Sequence, residues 1–276
     1  DEQPIGFNGM EEVIVTATKR AESKQDVPIA ISVIGAQEIT NSGSNDLKDM
    51  VSLIPNMIFA DGNNTATADI SVRGIYNQIP AGSIGFESGV TVYVDGISVG
   101  NQLNQNQNLG QIERVEVLRG PQGTLFGKNA SAGVINIVTK KPSFERSGYV
   151  SSTLGNFNTK KVKSYITGPL NETTAYSLSA NVHQSDGHSD NLTTGSDMNN
   201  RDRFGFRGEL LFQPSDDLSI RVTADYDDYD EVCCAVGSTA YGVGNQIQSL
   251  MGGRIIPNNV FTQKVFYDFD PKTEGD

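Results

Sequence analysis

The chain has 276 residues, 29 of them glycine and none tryptophan, with 37% hydrophobic content and a formal net charge of -12, a length that suits one large or two medium domains. So acidic a chain, without a basic stripe, argues against nucleic acid as a partner, because neutralising phosphates takes clustered Lys and Arg. No run of about 18 apolar residues occurs, which excludes a transmembrane helix but not a transmembrane barrel, whose strands alternate.

The sequence opens at Asp1 without a charged-then-apolar leader, as expected of an exported protein whose signal peptide has been removed. Within residues 1–25, the run Glu12, Val13, Ile14, Val15, Thr16 and Ala17 has a strand pattern and is followed by the polar stretch Lys19 to Gln25. A segment of this kind, outside any domain and near a free end, can add itself to the edge of a partner's sheet. Main-chain hydrogen bonds then give affinity and alternate side chains give register. The plainer alternative is an N-terminal strand of the domain that follows.

Residues 26–142 mix the two secondary-structure periods. Ile29, Ile31 and Val33 alternate after Pro28, as a half-buried strand should, whereas Leu47, Met50, Val51 and Ile54 recur at helical spacing ahead of Pro55. Val90, Val92 and Val94 alternate up to Asp95-Gly96, a hairpin-turn dipeptide, with Ile97 and Val99 beyond it. Val115 and Val117 continue the series and Val134 to Val138 close it, which predicts a small α+β domain with its own core. Arg73 and Arg119 each end an apolar strand, and a guanidinium held there requires a carboxylate partner or a heavy desolvation cost. An internal bridge to Glu113 or Glu116 is one solution. Gly120, Gly123, Gly127 and Gly133 fail the spacing of a phosphate loop, and Lys128 is followed by Asn129 rather than Ser or Thr. Their predicted work is to let the backbone turn sharply and approach a surrounding wall. No nucleophile elbow, zincin motif or CxxC pair occurs, so neither catalysis nor a cofactor is predicted.

From residue 143 to 276 the pattern is strands only. Strands are predicted near 148–154, 161–167, 175–183, 203–212 and 218–226. The clearest is Leu218, Ile220, Val222, Ala224 and Tyr226 alternating with Ser219, Arg221, Thr223 and Asp225. No helix or partner sheet follows to cover the apolar faces, and hydrocarbon can cover them. Gly168 to Glu172 and Gln213 to Asp217 read as short turns, whereas Gln184 to Arg201 and Asp227 to Asp276 read as long polar loops. His183, Asp186, His188 and Asp190, and the run Asp225, Asp227, Asp228, Asp230 and Glu231, carry donor types suited to metal ions but read as a solvated rim, so no metal ligand is assigned. Cys233 and Cys234 read as a loop pair, free or vicinally oxidised.

Two segments in this order, Glu11 to Ala17 and the Gly-punctuated strand-turn-strand from Gln111 to Lys141, resemble the TonB box and the last plug strands of TonB-dependent outer-membrane receptors. The resemblance implies an α+β plug domain followed by an antiparallel transmembrane β-barrel of 22 strands. This chain would hold the first five and stop inside an outer loop just before the sixth, with Val260 to Asp276 resembling that loop's end. With ten residues ahead of the box, the signalling domain that some relatives carry there is not expected. TonB, in the inner membrane, is the implied partner of Glu12 to Ala17, with outer-membrane lipid around the barrel. Arg73 and Arg119 are implied to latch the plug to barrel glutamates beyond Asp276. Substrate contacts are implied on Asp61 to Ala68, Tyr76 to Phe86 and Asn101 to Asn108, with Asn63, Tyr76, Asn77 and Asn104 as candidates. The implied function is import of a scarce substrate into a bacterial cell across its outer membrane, driven by the inner-membrane proton gradient, a ferric siderophore being the commonest cargo. The rival classes are a passive surface or structural protein with a plugged barrel and a soluble periplasmic binding protein.

Overall fold

The computed structural model describes residues 14–16, 19–20, 22–42, 47–61, 68–75, 88–99, 111–232, 264–265 and 272–275. The N-terminal part begins with two short strands, β1 (Ile14–Val15) and β2 (Glu22–Ser23), paired antiparallel. Strand β3 (Ala30–Gly35) follows, then helices α1 (Ala36–Ser42) and α2 (Leu47–Ser52) and the hairpin of β4 (Met57–Asp61) and β5 (Ala68–Val72). Strands β6 (Val90–Val94), β7 (Ile97–Ser98) and β8 (Ile112–Arg119), the short helix α3 (Gly123–Phe126) and β9 (Gly133–Thr139) complete this part.

Its main sheet has the order β3-β8-β9-β6-β7, with β6 and β9 parallel and the other neighbours antiparallel. Both faces are covered, which is why β9 carries apolar residues at almost every position instead of alternating. Ile135 and Ile137 join Ile34, Leu47, Met50, Ile54, Val90, Val92, Val115 and Val117 in one cluster. Val134 joins Val15, Val27, Ile31, Tyr93, Leu118 and Phe126 in the other. Two glycines are required by geometry. Asp95 and Gly96 have φ of 50° and 84°, the paired positive values of the tight hairpin turn their sequence predicts. At Gly133 a Cβ would lie 2.6 Å from the Leu118 carbonyl oxygen. That close approach is between two strands of this sheet, not to an outer wall as expected from sequence.

The remaining strands form the second body. β10 (Ser147–Gly155), β11 (Thr159–Asn171) and β12 (Thr174–Ser185) are followed by the short β13 (Ser189–Asn191) and β14 (Asp197–Met198). Then come β15 (Arg201–Ser215), β16 (Leu218–Val232), β17 (Lys264–Val265) and β18 (Lys272–Gly275). An antiparallel wall runs β10-β11-β12-β15-β16-β18. All five predicted strands are present, but a sixth also begins within the chain, since Lys272 to Gly275 pair with Val232 to Tyr229. This corrects the expectation that the chain stops before it. Strand β16 also continues to Val232, so the acidic run at 225–231 is strand and not loop.

One face of the wall is apolar and is not covered by any of the described residues. Val150, Val162, Ile166, Leu178, Phe204, Phe206, Leu210, Phe212, Ile220, Val222 and Tyr226 are all exposed large hydrophobics, with Leu154 81% and Val150 76% accessible. Cross-strand partners such as Val162, Val182, Phe204 or Ile166, Leu178 share that face in register. A stripe of this size on a water-soluble protein would drive association. In an outer-membrane barrel it is the surface that meets hydrocarbon. The opposite face carries Ser177, Arg203, Arg207, Glu209, Arg221 and Glu231, and from it Arg207 and Arg221 reach Asp95 of the first body.

Candidate functional site

Strand β1 is not a free tail. Val15 is fully buried in the cluster formed with Leu118, Phe126 and Val134, and Thr16 is fixed by a carboxylate a hundred residues away. Glu116, itself fully buried, accepts the Thr16 backbone N–H at 2.9 Å and the Thr16 hydroxyl at 3.2 Å. The same carboxylate takes Arg114 Nε at 2.7 Å and Asn136 Nδ2 at 3.0 Å. A buried anion demands such a donor set, since each unmet lone pair in a low-dielectric interior carries the desolvation cost without return. Downstream, Lys19 Nζ lies 5.7 Å from the Tyr93 ring and 5.3 Å from the Phe126 ring. Those rings meet edge to face with centroids 5.0 Å apart, and the Tyr93 hydroxyl donates to the Phe126 carbonyl at 2.7 Å.

The expectation of a segment outside any domain is therefore corrected for Ile14, Val15 and Thr16, which lie docked on the first body. Ile14 alone of the three is exposed, at 44%. Glu12, Val13 and Ala17 fall outside the described residues, as do the substrate candidates Asn63, Tyr76, Asn77 and Asn104 and the pair Cys233 and Cys234.

The two arginines part company. Arg73 is exposed, in a turn where its φ is 53° and its N–H donates to the Asn56 carbonyl at 2.9 Å. The reading of it as a charge buried within the first body is corrected for the described residues, among which its side chain is exposed. Arg119 is half-buried, and its Nε is buried without a hydrogen-bond partner among the described residues. Neither Glu113 nor Glu116 serves it, because both are engaged by Arg114.

The contact between the two bodies runs through a residue that sequence marked only as a turn former. Asp95, at the tip of the β6–β7 hairpin, accepts Arg207 Nη2 at 3.1 Å, and Arg221 Nη2 lies 3.3 Å away. Its carboxylate also takes the Thr139 N–H at 2.9 Å and the Thr139 hydroxyl at 2.6 Å, while Arg221 donates to that hydroxyl at 2.6 Å. On the wall, Glu209 receives Arg207 Nε at 2.9 Å, Arg221 Nη2 at 2.6 Å and the Ser177 hydroxyl at 3.1 Å. Gln111 hydrogen-bonds Tyr149, Lys140 sits 5.7 Å from the Tyr165 ring centroid, and Ser143 N–H donates to Thr167 Oγ1 at 2.8 Å, extending the seam along β10 and β11. The only sequence sign of this contact was one arginine on the polar face of each of two neighbouring strands, Arg207 and Arg221.

Residues 23–134 match the family described as TonB-dependent Receptor Plug Domain. The chain is 31% identical to the pesticin receptor of Yersinia pestis over 67% of its own length and 27% of that protein's. It is 28% identical to the ferripyoverdine receptor of Pseudomonas aeruginosa over 79% and 25% respectively. Among solved structures, the ferric yersiniabactin uptake receptor of Yersinia pestis superposes with a TM-score of 0.68 at 27% identity, covering 74% of this chain and 32% of that one. The chain thus spans about a quarter of the length of the curated relatives it matches.

Proposed function

This chain belongs to the TonB-dependent receptor family, and from that premise we propose that it is the plug and first wall of an outer-membrane importer of ferric siderophores. Its relatives are transport receptors and not enzymes, and no catalytic role is proposed. In this reading substrate docks on the plug from outside. The segment Glu12, Val13, Ile14, Val15, Thr16 and Ala17 is then released from Glu116 and taken up by TonB in the periplasm. A two-residue strand beside a two-residue partner is a weak hold in itself, so what keeps the box in place is Val15 burial and the Glu116 contacts to Thr16. Both are broken at once if the segment is drawn away as a strand added to another sheet. The proton gradient of the inner membrane supplies the work through TonB.

The observation that carries this reading is the docking of Thr16 on buried Glu116, which makes the box available to a partner only after a conformational step. The buried Nε of Arg119 supports its reading as a latch toward a wall carboxylate, and the same role for the exposed Arg73 stays a proposal from the family's plan. Substrate contacts at Asn63, Tyr76, Asn77 and Asn104 stay proposals from the family's plan. The test is receptor-dependent uptake of 55Fe chelates by cells whose receptor lacks Val13 to Ala17. Import predicts loss of uptake with surface binding retained, while a passive surface protein would be indifferent to the deletion.

A further inference from the structure

The seam at Asp95 has an unusual charge balance. Within the plug, Thr139 donates to both carboxylate oxygens of Asp95, at 2.9 Å and 2.6 Å. Within the wall, Arg207 keeps Glu209 at 2.9 Å and Asp225 at 3.2 Å, and Arg221 keeps Glu209 at 2.6 Å. Asp95 is therefore a third carboxylate added to two arginines that already own two. Breaking an ordinary buried ion pair is costly mainly because it strands one charge without its counter-ion. Withdrawing the plug at this seam leaves the wall with matched charges; the one charge that loses its counter-ions, Asp95, keeps both Thr139 donors, and Arg221 gives up only a neutral hydroxyl besides.

We propose that this seam is a releasable clutch, with Asp95 the positioning residue that seats the plug on β15 and β16 and lets the hairpin disengage from that wall during transport. The importer reading supplies only the reason for the plug to move. The seam's energetics stand on the geometry. Glu209, with its side chain 2% exposed, is the element that makes release cheap, since it competes with Asp95 for the same two guanidiniums.

The test is amide hydrogen exchange on the full-length receptor in lipid nanodiscs, read at residues 90–98 and 133–139. Asp95→Asn removes a charge-assisted pair and is expected to lower protection there by about tenfold. Glu209→Gln has the opposite expected sign, because both arginines then lean on Asp95, and protection should rise by about threefold. A merely structural role predicts that both variants loosen the hairpin. Unchanged exchange in Asp95→Asn, or falling protection in Glu209→Gln, overturns the clutch. Heat-modifiable mobility reports that the barrel has folded. Should Glu209→Gln fail that check, Asp225→Asn removes the other wall carboxylate and carries the same expected sign. Failure of the importer reading would show separately, as absence of receptor-dependent 55Fe uptake by the unaltered protein.

Discussion

The plug sheet and the wall sheet are built from the same kinds of residue and differ in what covers them. In β9, Val134, Ile135 and Ile137 are all fully buried, because protein lies on both faces. In β16, Ile220, Val222 and Tyr226 are 46%, 60% and 52% accessible, because none of the described residues lies over them. A strand that is apolar on both faces needs two protein layers, whereas one that alternates needs one layer and one solvent. For the wall that solvent is hydrocarbon. The difference teaches that the two bodies obey different stability rules and should answer differently to the same class of mutation.

The largest effect is expected in the plug. Ile135→Ala empties a site that is fully enclosed, so it should cost about 2–5 kcal/mol of plug stability. The readout is trypsin sensitivity of the plug at graded urea, with the barrel's heat-modifiable mobility unchanged. On the wall, the informative change is polarity and not volume. Val222→Arg should cost about 2–4 kcal/mol if the residue lies near the bilayer midplane, measured by denaturant unfolding of the barrel in lipid vesicles. An effect within about 0.5 kcal/mol, the usual range for a water-exposed site, would mean that this face does not meet lipid and would remove the basis of the comparison.

Periodicity made the wall legible, and it failed where the chemistry stopped alternating. Strand β16 was foreseen as far as Tyr226, but Asp227, Asp228, Asp230 and Glu231 hid its continuation to Val232, because a strand rising past the hydrocarbon no longer needs an apolar face. Helix α1 was missed since it buries one side chain, Ile39, which leaves no repeat to detect. The docking of the box was illegible for a different reason. It depends on Glu116, a hundred residues later in the chain, and the only sequence sign of it was a carboxylate set among Val115, Val117 and Leu118. Such a residue requires donors from somewhere, and the local strand could not name them. Arg73 ends its strand in a positive-φ turn that the apolar approach did not announce.

Within the plug the comparison sharpens to two carboxylates. Glu116 holds the segment proposed to leave, and Asp95 meets the wall. Glu116→Gln keeps an oxygen for the Thr16 N–H but removes the charge that Arg114 and Asn136 also satisfy. It should weaken docking of β1 by about 1–3 kcal/mol. A spin label at exposed Arg20 would report this as a larger mobile fraction. An unchanged spectrum would mean that Val15 burial alone retains the strand.

The smallest effect belongs to Lys19, and it separates packing from charge at the same place. Its ammonium lies over the edge-to-face pair Tyr93 and Phe126, on the face that also buries Val15. The side chain is exposed, and a cation over an aromatic ring in that setting contributes about 0.5–1 kcal/mol. Lys19→Gln should therefore raise the mobile fraction of the Arg20 label less than Glu116→Gln does. Lys19→Arg should restore it, because a guanidinium serves the ring faces as well as an ammonium does. If Lys19→Gln equalled Glu116→Gln, the box would be held chiefly from its downstream end. In the proposed release, a pull arriving from the N-terminal side would then break the Thr16 contacts first and meet the stronger contact, at Lys19, last.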